Sequence, residues 1–326
     1  MRPKVSVIVP IYNVEAYIER CVRSLFEQTL EAMEYIFVND CTPDFSMKIL
    51  QATLDDYPQR KSQVLIINHP VNQGAAKARE NGIKAATGEY IIHCDSDDWV
   101  DRDMYRAMYE KASIDGLDMV ICDWIETDGN INHIITQNLS CSDKGRMMQG
   151  VLNRSISGSL CNKLIACYIY KKCIEIYPQS HMMEDVLYSV QIFFHCRQIK
   201  YLSTPYYYYF SNTESICKKN DEQSCLNRCQ QAIRNIDDII RFIVLKGKDK
   251  EYRNELVVLK NSARVFLWPL LMDQPSKYYK KWKNVYPEIN WQYLFISSID
   301  PILRIIFFLT LLHIYPYIYK IKWLVS

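Results

Sequence analysis

The chain has 326 residues, about half of them apolar (49%) and under a quarter charged (23%), a composition that excludes disorder and supports one large or two modest cores. Net charge is only +2, but residues 241–326 carry 14 Lys and Arg against 6 Asp and Glu, so an acidic body ends in a basic segment that meets an anionic surface or forms a solvated helical face. Twelve scattered cysteines without Cys-x-x-Cys spacing read as reduced cytosolic thiols and exclude a disulfide framework, and residues 1–9 fit no signal peptide.

Over the first 125 residues short β-branched runs alternate with helix-period stretches, the mark of βαβ units around a parallel sheet. Val5–Val9 predicts the first strand, and Tyr17, Ile18, Cys21, Val22, Leu25 and Phe26 give one apolar helical face within residues 15–28. Tyr35–Val38 predicts a second strand, residues 46–54 a helix with Ser46 as N-cap, and Val64–Asn68 a third strand. A helix over residues 75–86, ended by Gly88, precedes strands at Tyr90–Cys94 and Met119–Trp124. From 126 to 180, Gly129, Gly145, Gly150 and Gly158 punctuate polar stretches, so loops and a few short elements are expected. The Tyr206–Tyr209 run suits a strand facing two environments, and helical period returns over 225–245 and 254–271. Residues 299–326 are the most apolar, yet Pro301, Arg304, His313 and Pro316 interrupt them before a membrane span accumulates. Trp282, Trp291, Tyr293, Tyr315, Tyr317, Tyr319 and Trp323 lie among Lys277, Lys280, Lys281, Lys283, Lys320 and Lys322, a mixture suited to the headgroup layer of an anionic bilayer. A helix packed on the core is the competing reading.

In such sheets a ligand sits beyond the carboxyl ends of the strands. Pro10, Tyr12 and Asn13 follow the first strand, Asp40 the second, Asn72, Gly74, Arg79 and Asn81 the third, and Asp95, Ser96, Asp97 and Asp98 the fourth. Singly each has a plain explanation: Asp40 starts a turn, Gly74 ends one, Arg79 is a surface helical charge. Three carboxylates within four residues repel one another unless a cation sits among them. Oxygen ligands without His or Cys favour Mn²⁺ or Mg²⁺, held by one or two carboxylates and the oxygens of a substrate diphosphate. The alternative is an acidic N-cap for a helix near Met104.

Four stretches, Val5-Ser6-Val7-Ile8-Val9-Pro10-Ile11-Tyr12-Asn13, Tyr35-Ile36-Phe37-Val38-Asn39-Asp40, Asn72-Gln73-Gly74-Ala75-Ala76-Lys77-Ala78-Arg79 and the run from Gly88 to Asp98, resemble in this order glycosyltransferase family 2. The resemblance implies the GT-A fold, an α/β architecture with a mostly parallel Rossmann-like sheet, flanking helices and, here, a mainly helical C-terminal region. It implies that Tyr12 lies against the nucleotide base, Asp40 hydrogen-bonds it, Arg79 lies near the nucleotide, Asp95 reaches the ribose or the metal, and Asp97 is the principal metal ligand. Pro10, Asn13, Gly74 and Ser96 complete the donor site. The chain departs from the family's Asp-Asp-Gly-Ser-Thr-Asp run at Asn39-Asp40-Cys41-Thr42-Pro43-Asp44, losing the glycine at 41, which bears on the local turn. Inverting transfer needs a base for the acceptor hydroxyl, and Met183-Glu184-Asp185-Val186 resembles the family's Glu-Asp pair, with Asp185 as base and Glu184 supporting it or binding acceptor. An acidic first helical turn is the plain reading of the pair.

Cys161-Asn162-Lys163-Leu164 and the tyrosine run with Ser215-Ile216 fit capsule and lipopolysaccharide members; Lys163 steadies a diphosphate or acceptor, or is an exposed lysine. The six histidines form no metal pattern and are assigned structural roles. Residues 1–125 are expected to bind the nucleotide-sugar, 126–220 to carry acceptor contacts and base, and 221–326 to form a helical region whose tail touches the cytoplasmic face of a membrane. The expected partners are a nucleotide-sugar donor, UDP-linked for preference, and a cell-surface glycan or lipid-linked saccharide; nucleic acid is not among them. A nucleotidyltransferase would need a glycine-rich basic loop where Pro10-Ile11-Tyr12-Asn13 stands, a processive synthase several membrane spans, and an inactive nucleotide-sugar-binding partner should lack Asp97 or Asp185.

Overall fold

The computed structural model describes residues 2–137, 144–211 and 219–319, so Ser215, Ile216, Lys320, Lys322 and Trp323 lie outside the described residues. The first half runs β1 (Val5–Ile11), α1 (Ile18–Phe26), β2 (Met33–Asn39), α2 (Ser46–Asp55), β3 (Val64–Asn68), α3 (Ala75–Ala85), β4 (Tyr90–His93), β5 (Trp99–Val100) and α4 (Met104–Asp115). There follow β6 (Met119–Thr127), β7 (Asn132–Ile135), α5 (Lys144–Leu152), β8 (Lys163–Ala166), α6 (Cys167–Cys173), α7 (Glu184–His195) and β9 (Ile199–Phe210). The C-terminal region holds α8 (Glu222–Leu245), α9 (Arg253–Val265), α10 (Trp268–Asp273), α11 (Pro275–Asn284), α12 (Ile289–Gln292) and α13 (Pro301–Leu311).

One sheet of nine strands, in the order β3-β2-β1-β4-β8-β6-β9-β5 with β7 also on β6, joins the first two expected regions. β1 pairs in parallel with β2 and β4, so chain order reverses across β1 and opens a crevice beyond its carboxyl end. β8 then pairs antiparallel with both β4 and β6, at the centre of the sheet. The stretch expected to be loops with short elements thus contributes a central strand. Four residues in an apolar run cannot be told from a helical turn by period alone.

Three local expectations are corrected. Ser46 is not the cap of α2: Asp44 accepts from both its N–H and its hydroxyl, and Ser46 is buried. Gly88 does not end α3, which stops where Ala86 turns extended (ψ 134); it is needed instead because a Cβ would lie 2.8 Å from the Ser6 nitrogen. The helix expected over 254–271 breaks between α9 and α10, where Pro269 cannot continue the hydrogen-bond ladder. At position 41, where the glycine is lost, Cys41 takes φ 56, a conformation that glycine enters more readily.

Among the described residues no helix is long and apolar enough to cross a membrane. α13 buries Phe307 and Leu311, with Phe307 against Trp282 and Tyr293, and exposes Ile302, Leu303, Ile305, Phe308 and Leu312. It is a packed helix with a second, uncovered apolar face.

Candidate active site

Beyond β1, Tyr12 leaves 44% of its surface exposed, and Asn13 turns the chain with φ 55 while its N–H donates to Thr42 Oγ1. Pro10 is half-buried opposite Val38. Asp40 ends β2 as a buried carboxylate that accepts from His69 Nδ1 at 2.7 Å and from the N–H groups of Gln73 (2.7 Å) and Gly74 (2.6 Å). Asn81 donates to the other ring nitrogen of His69 at 2.8 Å, which leaves Nδ1–H to donate to Asp40. Asp40 therefore fastens the end of β2 to the start of α3, and a carboxylate with about four acceptor positions keeps one for a ligand. Asn72 is exposed on the loop ahead of it.

Gly74 begins α3 with φ 85 and ψ 166, a region only glycine enters readily. A Cβ there would fall 1.6 Å from Cε1 of His181, whose ring covers the turn. One turn into α3, Arg79 is not the surface charge its helical setting suggests: it is buried, with Nη2 2.6 Å from Asp95 Oδ1 and Nε 3.6 Å from Glu184 Oε1. Its Nε and Nη1 have no hydrogen-bond partner.

The acidic loop after β4 divides its carboxylates. Asp95 keeps 37% of its side chain exposed and Asp97 is half-buried, while Ser96 is buried. Asp98 turns inward, accepting from Tyr207 Oη (2.5 Å) and the N–H of Phe210 (2.7 Å); burial, with Asp95 and Asp97 nearby, pushes its carboxyl well above the usual range. The crowding is thus relieved partly by a buried acid and partly by the pairing of Asp95 with Arg79. The loop is not the cap of α4, whose N-cap residue is Asp103. Tyr207 also accepts the Asp95 N–H, and Arg20, lying over the rings of Trp99 and Phe210, donates to the Asp97 carbonyl at 3.0 Å.

Among the described residues no three His, Cys, Asp or Glu side chains gather as a metal cage. Two neighbouring, partly open carboxylates fit a hard divalent ion that draws its other ligands from a substrate.

Glu184 and Asp185 open α7 after Met183, which takes φ 69. Glu184 is buried on Arg79; burial pushes its carboxyl up to about 8, Asp185 and Asp95 adding to the rise and Arg79 opposing it. Asp185 stays half-exposed and accepts the Val186 N–H at 2.8 Å. Lys163 fits neither reading given it: it is fully buried, donating to the carbonyls of Ser157 (2.9 Å) and Ser159 (2.6 Å) and to Asn162 Oδ1 (2.9 Å). Burial pulls it down to about 8, against the opposing effect of Asp185.

The fold brings Asp40 to Gly74, and Arg79 to both Asp95 and Glu184. Sequence reasoning missed His69, Arg20 and His181, and singled out Tyr207 only as part of the tyrosine run. His69 directly follows β3, so the strand-end rule that found Asp40 would have found it too.

The sequence profile described as Glycosyl transferase family 2 matches residues 6–172. EpsH of Bacillus subtilis (strain 168), named as a glycosyltransferase, is 30% identical over 270 residues, 80% of this chain and 76% of EpsH. EpsJ of the same organism, also named as a glycosyltransferase, is 32% identical over 66% of this chain, which spans 63% of EpsJ. Among solved structures, S. aureus TarS 1–349 in complex with UDP-GlcNAc superposes over 97% of this chain and 90% of that one, with a TM-score of 0.69 at 18% identity. These likenesses agree with the GT-A architecture, a largely parallel sheet flanked by helices with a helical C-terminal region.

Proposed function

The chain belongs to glycosyltransferase family 2, and from that premise we propose that it moves a sugar, with inversion, from a nucleotide-diphosphate sugar to a hydroxyl of a cell-surface glycan or lipid-linked saccharide. The observation that carries the reading is Arg79, a buried cation touching the acidic loop on one side and the acid pair on the other, with two N–H-bearing nitrogens unpartnered. Donors buried without a partner are costly, and a donor diphosphate reaching Arg79 would satisfy them. The TarS complex supports UDP-GlcNAc as the first donor to try.

In this reading Tyr12 meets the base, Asp40 offers it one acceptor position, and Pro10, Asn13, Gly74 and Ser96 shape the donor's surroundings. Asp97 and Asp95 would hold Mn²⁺ or Mg²⁺, which offsets charge on the departing diphosphate. Asp185 takes the acceptor proton; Glu184, pushed up to about 8, is mostly protonated at neutral pH and serves instead as a neutral hydrogen-bonding group beside Arg79. Exposed apolar side chains of α13, with exposed Lys280 and Lys281 on α11, the helix that packs against it through Trp282, support peripheral contact with the cytoplasmic face of an anionic membrane.

Thermal shift against a panel of nucleotide-sugars, with and without Mn²⁺, followed by a product assay on the donor that binds, tests the function. One donor should raise Tm only with the ion and turn over, since a ligand at 100 times its Kd stabilises by about 2.7 kcal/mol. No shift and no product across the panel overturns the proposal; a shift without turnover identifies an inactive nucleotide-sugar-binding partner.

A further inference from the structure

The three residues ahead of the acid pair's turn have no regular structure, yet their main chain is held by one helix. Asn235, fully buried in α8, donates through Nδ2 to the carbonyls of Ser180 (2.8 Å) and Met182 (2.7 Å). Both of its N–H groups are thereby used, which fixes the orientation of the amide. One turn earlier Gln231 Oε1 accepts, at longer range, from the N–H groups of His181 (3.3 Å) and Met182 (3.4 Å).

The neighbours of Asn235 on that buried face are Ala232, Ile236 and Ile239. An amide among apolar side chains is costly unless it is bonded, and the Asn235 Oδ1 is buried without a partner, so packing alone does not account for the residue. What the amide adds is a fixed place for the 180–182 main chain. Met183 then takes φ 69 and ψ 16, a conformation non-glycine residues hold only where their surroundings over-determine it, and this turn launches α7 with Glu184 and Asp185 as its first residues. On the opposite side the segment presses on the donor half, because the His181 ring fills the space a side chain at position 74 would need.

We propose that Asn235, assisted by Gln231, is a positioning residue for the acid pair, so that the helical C-terminal region sets where the base stands relative to the donor. This rests on Asp185 being the base of the transfer proposed above.

The test compares Asn235→Ala, Gln231→Leu and Gln231→Glu with the unaltered protein by two measurements. In amide hydrogen exchange on the ligand-free protein, Asn235→Ala should speed exchange at residues 183–187 at least tenfold and leave α3 unchanged. In transfer assays its kcat should fall at least tenfold while donor KM and nucleotide affinity stay within twofold. Gln231→Leu should move both readings the same way by a smaller factor, and Gln231→Glu, which keeps the accepting oxygen, should restore them. Unchanged exchange at 183–187 overturns the proposal, as does a parallel loss of kcat and nucleotide affinity, which would mark Asn235 as part of the general fold. If Asn235→Ala does not fold, the Gln231 pair decides by the same readings. Exchange is measured without substrate, so it decides the positioning role even where the unaltered protein transfers nothing and the functional reading fails.

Discussion

Glu184 and Asp185 are adjacent in the chain and differ in surroundings, and the difference would separate the roles proposed for them. Asp185→Asn should lower kcat by a factor on the order of 10²–10⁴, the usual contribution of a positioned base, with nucleotide affinity nearly unchanged. Full turnover in that variant would remove the base assignment. Glu184 makes a different prediction. Its native carboxyl is pushed from 4.5 up to about 8, so between those values the native state holds a proton that the unfolded chain has released. Its contribution to stability is complete below about pH 4.5, declines as pH rises, and is gone above about pH 8. Glu184→Gln stays neutral throughout, so its Tm should fall less than that of the unaltered protein between pH 5 and 8; parallel curves would contradict the buried, protonated acid.

At the scale of elements, the turn into α3 depends on residue 74 having no side chain. Gly74→Ala meets both an unfavourable φ and the His181 ring, and should cost about 1–3 kcal/mol in a urea melt while weakening nucleotide binding. A variant as stable as the original would contradict both the strained backbone at residue 74 and the obstruction by His181. The same turn marks where the sequence was readable. β1 to β4 and α1 to α3 were legible because short β-branched runs alternate there with helix-period stretches and end in polar groups, and Asp40, Gly74, Arg79 and Asp95 emerged from that pattern. β8 and β5, of four and two residues, stand outside that alternation, and runs so short cannot be identified by period alone. Lys163 and Asn235 were illegible for another reason. A buried Lys or Asn looks like a surface residue until the carbonyls it binds are folded around it, and those belong to irregular segments.

On the scale of the whole molecule, the C-terminal region does more than close the core. Arg264, buried against Trp282, donates to the carbonyls of Val285 and Tyr286 and to Asn290, tying α9 to the segment beyond α11. Deleting residues 299–326 would strip Phe307 from Trp282 and Tyr293, so membrane contact is better tested on the uncovered face. Ile302→Glu with Ile305→Glu should reduce co-sedimentation with vesicles containing anionic lipid, and binding by the unaltered protein should weaken as salt rises. Equal sedimentation of variant and original would leave α13 as a packed helix only. α8, 24 residues and about 36 Å long, links the backbone before the acid pair to the helices that carry this face. Were that face to meet lipid, a cleft anchored in that way would stand at one elevation above it. It would work as a gauge, serving best those saccharides whose receiving hydroxyl projects to the same height, and a ladder of acceptor lengths should show an optimum on vesicles that flattens in detergent.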